Sequence, residues 1–498
     1  LRGDEIFFFK SGHALVFKQI LINYAKEEIS LFTKIIKKSI FVIFSLFIMI
    51  NIVYYGYTIY KINQRYEKLY NTHDIVGLRK FPYPYKAALS IANDIDNTST
   101  FDEFLKIQEF LNTKNETSMG QGVGLEIGNS FFMLDSVIRN DFSYFSRTPQ
   151  DKVVIQKFIE AGYLDCIHSW GEGCQNRNDA LRALNELKQH NYRLNVWINH
   201  SFARSNFGYW FNTNFGDDLD TKYYHADCTI PYGIKFVWLG SSTNMIGQDT
   251  PITLETFTAS FDTQFPVKSV RNVIRAFTKH IISIYGILNH KYALHARNEL
   301  VKEVQLDDGQ RVYEFMRYDI HPDGIGKGAN SKGVAYNLSK QVLEHLIQTN
   351  GYAIYYTHLG KNEEYDQGIA PEAQLAFRNL ENLYRAGQIY VTTTYKLLNY
   401  YLVFHHLNWS YQVTADKIII RIHSIDDPVF GQYIPTETDL QGLTFYIPSG
   451  KKASVFIQNQ ELTNIFHNPA DEYKKESVTI PFTSLKYPEI DSLKIAID

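Results

Sequence analysis

The chain has 498 residues, 45% hydrophobic and 21% charged, which leaves room for two or three ordinary globular domains. A net charge of −3 carries no basic excess and excludes nucleic acid as the expected partner. Aromatic residues reach 15%, but they are spread along the whole chain, which reads as compositional bias rather than a carbohydrate-binding surface. Three cysteines, Cys166, Cys174 and Cys228, are too few for a disulfide framework and lack a metal-type Cys-x-x-Cys spacing.

Residues 1–39 receive no functional assignment. Residues 40–57 form an uncharged apolar run long enough to cross a bilayer, bounded by Lys37 and Lys38 before it and by Lys61 and Arg65 after it. Tyr54, Tyr55 and Tyr57 suit an interfacial belt, and no small-residue cleavage site follows. A single-pass transmembrane helix is expected. Lys26, Lys34, Lys37 and Lys38 stand against Lys61, Arg65 and Lys68, a slight excess that favours an inside N-terminus. The large domain is then expected on the extracytoplasmic side. Residues 58–84 read as a linker ended by Phe81-Pro82-Tyr83-Pro84.

From residue 85 strands and helices alternate. The strand at 87–92 is followed by a helix faced with Phe101, Phe104, Leu105 and Leu111 and capped by Ser99 or Thr100. Next come a short strand at 123–127 and a helix opened by Thr148-Pro149. A strand at 163–167 precedes a helix striped by Leu181, Leu184 and Leu187. Further strands are expected at 194–198, 235–239, 312–317, 352–356 and 389–392, with helices at 336–348, 372–386 and 395–407. These seven or eight units over residues 85–407 predict an α/β class and an irregular (β/α) barrel. A doubly wound sheet is the alternative, weakened by the lack of a Gly-x-Gly-x-x-Gly after any strand. Residues 408–498 change to short strands separated by turns, which reads as a β-sandwich accessory domain.

The chemistry is concentrated at strand ends. Asp94 and Asp96 close the first strand, where an Asp-x-Asp offers one carboxylate for a metal and one for proton transfer. His168-Ser169-Trp170-Gly171-Glu172 follows a second strand and sets an imidazole and a carboxylate four residues apart. His with Asp or Glu oxygens suits Zn²⁺ or another divalent cation. Trp197-Ile198-Asn199-His200 and Tyr356-Thr357-His358 end two more strands, and either histidine is open to a ligand or general-acid role. Trp170, Trp197 and Asn199 are candidates for substrate contact. Glu126, inside a strand, is open to three roles: ligand, glycosidase nucleophile or paired core residue.

The order of these motifs resembles the polysaccharide deacetylases of the NodB-homology type, over about residues 85–400. The resemblance implies an irregular (β/α) barrel, a divalent metal (Zn or Mn) and hydrolysis of N-acetyl groups on a polysaccharide or glycan. It implies Asp94 as base, Asp96 as metal ligand and His358 as acid. The family's second motif is His-Ser/Thr-x-x-His; His168 and Ser169 match, and Glu172 stands in place of the second histidine. Glu172 or His200 would then complete the metal set of Asp96 and His168. The third, Arg-Pro-containing motif has no counterpart at 194–201. Two other readings stand beside this one: a metal-free glycoside hydrolase pairing Glu126 with Asp94 or Asp96, and an inactive glycan-binding or scaffold protein.

Overall fold

The computed structural model describes residues 5–70, 74–135, 142–173, 175–201, 203–208, 213–288, 291–361 and 368–490. Cys174 lies outside them. The chain divides into two compact units, residues 1–65 and residues 66–498. A single helix, Glu5–Leu69, makes up the first unit. Its stretch Phe32–Leu69 is long and apolar enough to cross a membrane.

The second unit is built on a mostly parallel sheet curled into a half-barrel. Its strands are β2 (Ala87–Asp94), β5 (Gly128–Phe131), β6 (Leu164–His168), β7 (Val196–Ile198), β8 (Phe236–Trp238), β9 (Ser242–Thr243), β10 (Val301–Gln305), β11 (Arg311–Phe315), β12 (Arg317–Tyr318), β13 (Tyr352–Thr357) and β14 (Ile389–Thr392). β1 (Gly77–Arg79) belongs to another sheet, and β3 (Glu116–Thr117) with β4 (Gly120–Gln121) forms a separate hairpin. Ten strands run in the order β10-β11-β8-β7-β6-β5-β2-β13-β12-β9, and β14 lies alongside β2. Only the β10–β11 pair is antiparallel.

The expected seven- or eight-strand barrel is therefore replaced by a longer, open sheet. β10 shows why: it pairs with β11 as an antiparallel hairpin, with Glu303 and Gln305 exposed, and ends the row of parallel strands. The strand expected at 123–127 also shifts, to β5. Val123 N–H and Leu125 N–H donate to the Phe110 and Leu111 carbonyls of the preceding helix, which takes this segment out of the sheet. The expected helix at 336–348 is split into Gly333–Asn337 and Lys340–Gln348.

β2 is buried at all eight positions. Ala87, Leu89 and Ile91 join an outer core with Phe110, Phe377 and Leu380. Ala88 and Ala92 join an inner core with Ile354, Leu397, Leu398 and Leu402. This period of two is the strand repeat, with both faces covered. The last three leucines belong to helix Thr394–His406, which fills the concave side. Each fully buried leucine contributes about 2 kcal/mol of apolar burial. Ser90, between the two alanines on the inner face, hydrogen-bonds Thr394 at the start of that helix (2.9 Å).

Two further sheets follow. One holds β15 (Leu407–Val413), β16 (Lys417–Asp427), β17 (Gly431–Tyr433), β19 (Lys452–Ile457) and β20 (Gln460–Glu461). The other holds β18 (Thr444–Ile447), β21 (Phe466–Asn468), β22 (Glu476–Thr479) and β1. Pairing is antiparallel except between β16 and β19. The sheets share a core in which Ile418, Ile420 and Ile422 of β16 meet Phe445 and Val478. Part of the expected linker is thus a strand, since Gly77–Arg79 pairs with β18. The half-barrel and the C-terminal sheets form one compact unit rather than two.

Candidate functional site

The site forms where four strands and the turns after them expose polar groups on the concave side. β2 ends in Asn93-Asp94. The Asn93 side chain faces outward, donating to Asn129 Oδ1 (2.8 Å) and accepting from Leu359 N–H (2.8 Å). Asp94 therefore faces inward. The turn after β2 is fixed by Ile95 N–H on the Ser130 carbonyl and Phe142 N–H on the Asp96 carbonyl. Gly360 matters in the turn after His358, because a Cβ there would lie 2.4 Å from Thr98 Oγ1. Only glycine lets the two turns touch.

Asp94 is held on two sides. Ser130 Oγ donates to its Oδ1, and Arg317 Nη1 and Nη2 reach Oδ2 and Oδ1 at 3.2 and 3.3 Å. Arg317 is wholly buried and packs on the rings of Trp238 (4.5 Å) and Tyr356 (4.9 Å). Those two rings stack on each other at 5.9 Å and remain partly exposed.

Asp96 faces three imidazoles. Its Oδ1 lies 3.3 Å from His358 Nε2 and 3.6 Å from His168 Nδ1; its Oδ2 lies 3.7 Å from His200 Nε2. His168 Nε2 lies 3.7 Å from Asp94 Oδ2, so this ring bridges the two carboxylates. The His168 and His200 rings meet edge to face at 4.8 Å, with Phe132 against both. His200 is placed by its N–H on Asn206 Oδ1 (3.0 Å), and His358 by Nδ1 and N–H on the Ala329 carbonyl.

Several of these atoms lack partners. Asp96 Oδ1, His168 Nδ1 and His200 Nδ1 are buried without a hydrogen bond. Buried polar atoms without partners are costly, and a functional site is one place where they persist. Burial drives the His168 imidazolium down to about 4 against the pull of Asp94, and drives His200 down as well. Burial also opposes ionisation of Asp96 and Asp94. For Asp96 the His358 charge outweighs it, for Asp94 the Arg317 charge does, and both carboxyls are lowered. For His358 burial is outweighed by Asp96, so its imidazolium is favoured. The arrangement thus favours the charged form of both carboxyls and of His358, and the neutral form of His168 and His200.

The donor spacing bears on a metal. Two ligands about 2 Å from one tetrahedral ion stand roughly 3.3 Å apart. The Asp96–imidazole separations match or slightly exceed that. Among the described residues, no group of three or more His, Cys, Asp or Glu side chains is placed so as to hold a metal ion.

Other predicted residues are placed differently. Glu172 is half-buried on the turn after β6, and its charge acts on His200. Trp170 and Trp197 are wholly buried, packed edge to face against each other at 5.2 Å, so they are core and not substrate contacts. Asn199 is internal too: it accepts from Trp197 Nε1 (2.9 Å) and donates to the Phe207 carbonyl (2.7 Å). Glu126 precedes the start of β5, away from the strand's far end where Ser130 meets Asp94. It accepts from Thr392 Oγ1 (2.8 Å), Lys396 Nζ (2.7 Å) and Leu485 N–H (2.7 Å). Arg317 and Trp238 were missed. Trp238 ends β8, and Arg317 closes the run expected as a strand at 312–317, although in the structure it opens β12.

No family model, curated protein or solved structure matches the chain.

Proposed function

We propose that the chain is a membrane-anchored, divalent-metal-dependent hydrolase that removes acetyl groups from a polysaccharide or other glycan, in the manner of the NodB-type deacetylases. The observation that carries this reading is Asp96 facing His168, His200 and His358 at 3.3–3.7 Å beside the Arg317-held Asp94. Asp96, His168 and His200 would hold the cation, Zn²⁺ or Mn²⁺, with Glu172 acting through His200. A cation held there would supply Lewis-acid polarisation of the acetyl carbonyl and of water.

The chain's own groups do the proton work. Asp94 accepts the proton of the attacking water, its carboxylate oriented by Ser130 and Arg317. Water oxygen bonds to the acetyl carbon, and the C–N bond breaks. His358 donates its Nε2 proton to the departing amine, leaving acetate and a free amino sugar. The partly exposed Trp238–Tyr356 pair offers a sugar ring the aromatic surface first assigned to Trp170 and Trp197. The apolar stretch Phe32–Leu69 would anchor the enzyme in the bilayer.

The test is metal content of the purified full chain, together with amine release from N-acetylated sugar oligomers. Stoichiometric Zn or Mn that is lost in Asp96→Ala, with parallel loss of amine release, supports the reading. Full amine release without bound metal would sink it. A binding-only protein is the second reading, favoured by the burial of Asp94 and Asp96 at 1% and 2% exposure. Glycan binding without turnover in the metal-loaded chain would select it.

A further inference from the structure

Helix Pro266–Ile284 is built inside out. The residues it buries are Ser269, Asn272, Ala276 and His280, three of them polar. The residues it turns outward include Val267 at 82% exposure, Val270 at 47% and Ile274 at 59%. At 100° per residue these three lie within one 60° arc, opposite the buried face. A surface helix of a soluble protein shows the reverse pattern. Nearby, Leu254, Ile287 and Leu288 are also exposed, so the apolar surface continues past both ends. The other exposed apolar residues of the half-barrel, such as Leu219 and Leu375, are scattered.

The charge on the helix itself is one-sided. Residues 263–298 contain six Lys and Arg and no Asp or Glu. Lys268 pairs with Asp323 from outside the segment (2.5 Å), and Lys279 donates to the Ser242 carbonyl on edge strand β9 (2.8 Å). Arg271 and Arg275 are exposed beside the apolar arc. A second copy of an all-basic helix would repel the first, whereas an anionic surface with an apolar interior matches both features.

We propose that helix Pro266–Ile284 is an interfacial membrane helix. Val267, Val270 and Ile274 enter the acyl boundary, and Arg271 and Arg275 contact anionic lipid headgroups. The proposal does not depend on the hydrolase reading; the stripe and its charge stand whether or not the half-barrel is catalytic.

The experiment uses the full chain, with Cys174→Ser and Cys228→Ser, reconstituted into vesicles of equal phosphatidylcholine and phosphatidylglycerol. A nitroxide on Ile274→Cys is compared with one on Leu375→Cys, a 61%-exposed position on another helix. Collision with a water-soluble nickel chelate should fall about tenfold at 274 relative to 375, with oxygen collision rising. Adding Arg271→Glu and Arg275→Glu should restore the nickel collisions. Equal nickel access at the two positions overturns the proposal. Spin–spin broadening at 274, which would mean a second copy covers the stripe, overturns it as well. The labelled positions point outward, so neither substitution disturbs the core.

Discussion

Two buried carboxylates in the same half-barrel are treated in opposite ways. Glu126, before the start of β5, receives three donors at 2.7–2.8 Å, one of them the ammonium of Lys396. Asp96, past the end of β2, sees three imidazoles at 3.3–3.7 Å, and its Oδ1 makes no hydrogen bond. The first arrangement is complete as it stands and stabilises the fold. The second is short of something. A saturated carboxylate is structural; one that faces three imidazoles with an oxygen left unbonded is open to chemistry.

The comparison breaks most easily at the second site. Asp94→Asn should lower amine release on the order of 10³-fold and also lower the melting temperature, because the amide leaves the buried Arg317 charge uncompensated. If activity survives that change, the base lies elsewhere. His358→Gln should cost on the order of 10²-fold and remove the alkaline limb of the pH–rate profile. A Trp238→Ala change should raise KM for a sugar oligomer about fivefold with kcat little altered, as loss of a stacking face costs roughly 1 kcal/mol. Trp170→Phe, by contrast, should leave KM unchanged, because that ring is internal.

At the first site the effect should fall on stability instead. Glu126→Gln should destabilise the fold by about 2 kcal/mol in denaturant titration, the usual worth of charge-assisted hydrogen bonds, and leave kcat alone. A subtler effect concerns Asp319, whose carboxyl is pushed up to about 7 by burial, against the opposing His321 N–H. An unfolded Asp ionises near about 3.9. Between these values the native state holds a proton that the unfolded chain has lost. This contribution to stability is full below the unfolded value and disappears as pH rises through about 7. The melting temperature of Asp319→Asn relative to wild type should therefore climb from pH 5 to pH 8. A flat difference would show that Asp319 is ionised throughout.

Much of this was legible in the residues. Period-two burial and terminal polar residues located β2, β6, β13 and β14 within a residue or two, because fully buried parallel strands are continuous apolar runs. Thr148-Pro149 opened its helix as read, and Thr100 is the cap of the helix before it. The closed barrel was not legible, since closure depends on what fills the concave side. Helix Thr394–His406 fills it here, and the β10–β11 hairpin ends the row. Trp170 and Trp197 were misplaced because proximity to a motif says nothing of which face a ring takes. Each flanks a site histidine in sequence, yet its ring turns to the outer core with Phe207 and Leu184. Arg317 was overlooked because an arginine ending a strand is ordinarily a solvated rim residue. Its burial follows only from the distant Asp94.

β2 has one neighbour, β13, along one edge and two along the other: β14 beside residues 87–90, then β5 beside residues 92–94. A strand gripped by three partners over its whole length cannot slide without breaking all of them at once. The position of Asp94 is thus set by the sheet, while Asp96, past the strand end, is held by the turn that Phe142 N–H bonds. For protein engineering this separates two jobs. The turn after β8 can be rewritten to admit a new substrate while the carboxylates stay where they are. A single cut in the β14–β2 ladder would loosen the reacting groups without touching them.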